Sequence, residues 1–127
     1  MDTPMTGIIK PDEVQPVPIN IVTVPTSVVE GNSLSVTVTL NGTTTADTVY
    51  PLDTDHRSLI NPPSGQTSWP AHYTVLNGHS SASFSLGTQG STSATAKLVT
   101  CPSGEDVTNP SNITASCNVT LTAPTPP

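Results

Sequence analysis

An antiparallel β-sandwich is the fold class that this chain of 127 residues predicts, and three observations carry the prediction. Leu34, Val36, Val38 and Leu40 alternate strictly with Ser35, Thr37 and Thr39, which gives an extended chain one apolar face and one hydroxyl face. Short segments of this kind recur, closed by Gly, Pro or Asn at the spacing of a sandwich or barrel. No stretch carries apolar residues at helical period with caps at both ends, so essentially no α-helix is expected. About seven to eight strands with Greek-key-like connections are expected, in two layers around one core.

Residues 1–18 carry Pro4, Pro11, Pro16 and Pro18 without sustained periodicity and read as an extended, partly polyproline arm. Its apolar residues Ile8, Ile9, Val14 and Val17 are unfavourable to leave in water, so they are the candidate partner-binding residues. Residues 19–24 and 27–29 read as a first strand broken at Pro25, as in an edge strand that bulges or switches partners. Glu30-Gly31-Asn32-Ser33 supplies a tight turn into residues 34–40, since Gly and Asn accept positive φ and Asn and Ser can bond their own backbone. Asn41-Gly42 is a hairpin or turn dipeptide. Residues 46–52 and 57–60 are weaker strands around Asp53-Thr54-Asp55, and residues 61–70, with Pro62, Pro63, Gly65 and Pro70, are a loop. Residues 71–76 and 81–86 flank Asn77-Gly78, and in the second Ala82, Phe84 and Leu86 alternate with Ser81, Ser83 and Ser85. Strands at 92–101 and 113–121 then close the domain around the turn-rich 102–111. The divisions expected are an arm at 1–18, a sandwich at 19–123 and a Pro-rich tail at 124–127. With only Tyr50, Trp69, Tyr73 and Phe84 aromatic, the core must be filled by β-branched and small side chains.

Charged residues make up 9% of the chain, against roughly 25% in an ordinary soluble domain, and Ser and Thr take their place. The basic residues Lys10, Arg57 and Lys97 lie far apart in sequence, so no phosphate-tracking patch and no nucleic-acid partner are expected. No apolar run approaches the roughly 20 residues that cross a bilayer, so no membrane span is expected. The start has neither a basic nor an apolar leader region, and Met1 reads as a native start made in the cytoplasm.

His56, His72 and His79 lack metal-motif spacing, and no two cysteines are two to four residues apart, so zinc is not expected. Asp53, Asp55, His56 and Arg57 form the tightest ionisable cluster; a solvated turn is the preferred reading, and a calcium loop would need more acidic groups. There is no Gly-x-Ser-x-Gly elbow and no histidine in a triad context, so neither catalysis nor a cofactor is expected. Asn41, Asn112 and Asn118 match the N-glycosylation pattern, which a chain this rich in Ser and Thr produces by chance. Trp69 reads as a ring capping one end of the sandwich, the alternative being an exposed contact for a sugar or protein. Cys101 and Cys117 form an even set and are a candidate disulfide, with free thiols in a reducing compartment as the alternative.

The run VTVPTSVVEGNSLSVTVTL at residues 22–40 resembles the opening of bacterial and viral immunoglobulin-like domains, including Calx-β-like modules. SASFSLGTQGSTSATAKLVT and ITASCNVTLTAP look like that family's last strands. Antibody-type domains fit less well, because Trp69 precedes both cysteines instead of lying between them. A disulfide is therefore expected to staple the final hairpin, with Val99 facing Val119 and Cys101 facing Cys117. The resemblance, with the leaderless start and the Pro-rich ends, implies a non-enzymatic virion structural protein, a phage capsid decoration or cement protein at the virion surface. Its implied partner is a major capsid protein or other virion shell protein, and homo-oligomerisation is left open. The alternative is a spacer or glycan- or protein-binding module of a bacterial surface adhesin or secreted enzyme, placed outside the cell.

Overall fold

In the computed structural model, which describes residues 16–125, eight strands follow one another with no α-helix among the described residues. They are β1 (Ile19–Thr23), β2 (Ser27–Val29), β3 (Leu34–Leu40), β4 (Thr48–Thr54), β5 (Ala71–Val75), β6 (Ser81–Leu86), β7 (Ala94–Thr100) and β8 (Ala115–Thr122). One sheet has the order β1-β3-β6 and the other β2-β8-β7-β4-β5. All pairs are antiparallel except β2 with β8. This is an immunoglobulin-like β-sandwich, with the first strand divided between the two sheets.

The strict alternation at residues 34–40 makes β3 the middle strand of the smaller sheet, with Leu34, Val36 and Val38 fully buried. Tyr50 and Leu52 of β4, Leu98 of β7 and Leu121 of β8 come from the opposite sheet and are also fully buried. Each such side chain stabilises the fold by about 1.5–3 kcal/mol relative to an exposed one. Tyr50 and Tyr73 stack at 5.6 Å, and Tyr73 and Phe84 at 5.3 Å, so three of the four aromatic rings run as a ladder across the core.

The break at Pro25 does what the sequence predicts: β1 pairs with β3, and after Pro25 the chain crosses to pair β2 with β8. Residues 30–33 therefore carry the chain between sheets instead of closing a simple hairpin. Gly31, at φ +102, donates its amide to Thr88, whose hydroxyl also bonds the Asn32 carbonyl. The strand expected at residues 57–60 does not form. The His56 carbonyl accepts the amides of both Leu59 and Ile60, which spends locally the donors a ladder needs, and what remains is an isolated bridge of Ile60 to Thr88, with the Leu59 carbonyl accepting the Gln89 amide.

The cysteine pairing also differs from expectation: Cys101 and Cys117 are both free thiols. Cys117 lies opposite Leu98, and Val119 opposite Ala96. Cys101 is thus three residues beyond the position facing Cys117, about 10 Å along the strand, out of reach of a disulfide. The reason is parity. Ala96, Leu98 and Thr100 are buried and face Val119, Cys117 and Ala115, and sliding β7 by the odd number of residues needed to align the cysteines would turn its buried face to solvent.

The arm's last residues belong to the sandwich. Val17 packs against the core and its carbonyl accepts the Tyr50 hydroxyl at 2.8 Å, while the Pro18 carbonyl accepts the Asn41 amide at 2.9 Å. Val17 is therefore already engaged within its own domain and is not a free partner-binding residue. Ile8, Ile9 and Val14 lie outside the described residues. The chain enters beside Leu40 and leaves beyond Thr122, which pairs with Val29 at the opposite end of the sandwich.

Candidate functional site

The five-stranded sheet turns one face away from the core, and on that face the segment following β7 folds back over the strands. Val99 points outward between buried Leu98 and Thr100 and is half covered by this segment, whose Val107 is 5% exposed. The covering loop holds itself in shape. Asp106 accepts the Thr108 amide and hydroxyl, Asn112 donates to the Asp106 carbonyl, and Asn109 caps a single 3₁₀ turn at Pro110–Asn112 by accepting from Ser111. Between this loop and the end of β4 lies an open depression of about 550 Å³, walled by Val99, Val107, Pro110 and Ile113 and rimmed by Asp53, Asp55, Arg57 and Lys97.

The rim shows what the acidic cluster does. Asp53, the penultimate residue of β4, has only 7% of its surface exposed, and Arg57 grips it with two bonds, Nε to Oδ1 at 3.1 Å and Nη2 to Oδ2 at 2.7 Å. The Asp53 carboxylate raises the Arg57 pKa and holds the guanidinium in one orientation. Asp55 accepts the Lys97 amide at 2.8 Å and His56 Nδ1 at 2.6 Å through the same oxygen. Burial pulls the Asp55 carboxyl up, but the bonds from His56 and the Lys97 backbone outweigh it and its pKa is lowered. The two carboxylates are thus bound to different donors, and no group of three His, Cys, Asp or Glu side chains gathers to hold a metal ion among the described residues.

Sequence separation concealed one feature of this rim. Arg57 and Lys97, 40 residues apart, line one depression because Asp55 ties the β4 exit to the Lys97 backbone. Only register knowledge could have revealed it, since neither strand carries a motif.

The other singled-out residues are dispersed. Trp69 is half-buried against the core and donates Nε1–H to the Ile60 carbonyl at 2.8 Å, so the ring caps the sandwich. His72 lies on the edge strand β5, and His79 is in the turn before β6. Burial first, then the Glu105 and Asp106 carboxylates, push the Cys101 thiol up to about 11. Burial also raises Cys117, against a bond with the Leu98 backbone. Thiols shifted in this direction are poor nucleophiles at neutral pH. Asn41 and Asn118 are exposed, and Asn112 is half-buried in the covering loop.

No protein-family model and no curated protein matches the chain. Among solved structures it is similar to the CARDB domain of a Pyrococcus furiosus protein, crystallised in complex with di-metal ions, at 15% sequence identity and a TM-score of 0.45, covering 88% of this chain and 100% of that one.

Proposed function

We propose that this chain is a non-enzymatic virion structural protein, a phage capsid decoration module that binds the outer surface of a shell and stabilises it. The observation that carries the reading is the placement of the chain ends. The arm joins the sandwich beside Leu40, fastened by the Tyr50 and Asn41 bonds to Val17 and Pro18, and the chain leaves past Thr122 at the far end. At about 3.3 Å per strand residue, the run from β1 through β2 separates these ends by roughly 30 Å. A module gripped by its arm at one end therefore holds the other end clear of the surface.

Attachment through Ile8, Ile9 and Val14 to a capsid or other shell protein is apolar and main-chain in character, so it should be nearly indifferent to salt. Many copies on a lattice stabilise the assembled state by mass action. Co-sedimentation with undecorated shells tests the reading: the full chain should pellet with the shells, and a chain lacking residues 1–15 should stay in the supernatant. Equal pelleting of both would assign attachment to the sandwich, and pelleting of neither would reject the shell as partner.

The same end-to-end geometry favours a second reading, an in-line spacer or binding module of a surface adhesin or secreted enzyme. A gene encoding flanking domains of the same kind would decide for it, and a neighbouring major capsid gene would decide for the first.

A further inference from the structure

The chain has three basic residues in all, and the fold brings two of them, Arg57 and Lys97, to one depression on the outer face of β4 and β7. We propose that this depression binds an aliphatic carboxylate, with Arg57 and Lys97 receiving the carboxylate and Val99, Val107 and Ile113 the hydrocarbon body. The inference is independent of the arm and of the shell, because the site lies on the sheet face.

The choice of ligand class follows from which groups are already spent. Both oxygens of Asp53 are taken by Arg57, and one oxygen of Asp55 by Lys97 N–H and His56, so the rim has little acceptor capacity left for a cation. Donor capacity remains: Arg57 uses Nε and Nη2 on Asp53, and neither its Nη1 nor the Lys97 ammonium has a hydrogen-bond partner among the described residues. Holding the guanidinium on a carboxylate that is 9% exposed fixes its direction before a ligand arrives, which lowers the entropy lost on binding. The walls are apolar, and a volume of about 550 Å³ lies in the range of small-molecule sites. The formal charge of −6 opposes multiply charged anions more than a single carboxylate, and so favours one negative group on a greasy body over a polyphosphate.

The test is a titration of the isotopically labelled full chain, followed by backbone amide shifts, with N-acetyl-leucine, octanoate and the neutral N-acetyl-leucinamide as probes. Saturating shifts at Lys97, Val99, Val107 and Ile113 are expected with the acids, and the amide should bind about fivefold more weakly, the size of one partly exposed ion pair. Tighter binding of N-acetyl-leucine identifies a peptide carboxylate as the source, and tighter binding of octanoate a fatty acid. Lys97→Gln, at an exposed side chain with no bond to lose, should shrink the difference between acid and amide. Absence of saturating shifts at these residues, or equal affinity for acid and amide, would overturn the proposal.

Discussion

Glu30 follows β2 directly, with 3% of its surface exposed, and neither carboxylate oxygen has a hydrogen-bond partner among the described residues. Gly90 lies over it at φ +129; a methyl group there would stand 3.3 Å from Glu30 Oε1 and 2.7 Å from a Leu59 methyl, so only glycine closes this corner. An unpaired buried polar group costs about 1–3 kcal/mol, so Glu30→Met, which keeps the length of the side chain and removes both unpaired oxygens, should raise the thermal midpoint, measured by calorimetry at neutral pH. A lowered midpoint would mean that the carboxylate has a partner after all. Cys101 supplies a second residue-scale test. An unfolded thiol titrates near about 8.5, so with the folded value up at about 11 the stabilisation is fully present below the unfolded value and lost as pH rises through the folded one. At pH 8 a thiol of that acidity is about one part in a thousand thiolate. Iodoacetamide should therefore label native Cys101 far more slowly than the unfolded chain, which should yield two alkylated thiols without reduction. A mass lower by two hydrogens would restore the disulfide.

At the scale of elements, the exposed edge of β5 is managed by one side chain. The Gln66 amide donates to the His72 carbonyl at 2.8 Å and accepts the His72 amide at 2.9 Å, imitating a neighbouring strand where a foreign one could add. Gln66→Ala should leave the circular dichroism of the monomer unchanged but promote concentration-dependent association in sedimentation velocity; a variant that stays monomeric would show that the edge needs no cover. This cap was not legible in the sequence, because Gln66 sits in a loop identified by its prolines and glycine alone. The partner switch at Pro25 was legible, since proline cannot donate to a ladder. Residues 57–60 misled because Leu59 and Ile60 look like strand residues, whereas the His56 carbonyl and the Arg57–Asp53 pair wind them into a turn.

For the whole molecule, the boundary of the sandwich lies earlier than the sequence suggests. A chain starting at Pro16 should unfold at the same midpoint as the full chain. One starting at Ile19 loses the acceptor for the buried end of Tyr50, the acceptor for Asn41 and the Val17 packing, and should be less stable by about 2–4 kcal/mol in urea titration. Equal stability of the two would return residues 16–18 to the arm. The sequence by itself determined the class of fold and nearly every strand, because alternation at a period of two and the backbone demands of Gly and Pro are local properties. The core expected of β-branched and small side chains is instead filled in large part by six leucines with Tyr50 and Tyr73. Only the tertiary structure decided which cysteine faces which residue, that Val17 is internal, and that Arg57 and Lys97 share one depression. Those outcomes depend on strand register and on a loop folding back over a sheet, which are set by packing between segments far apart in the chain.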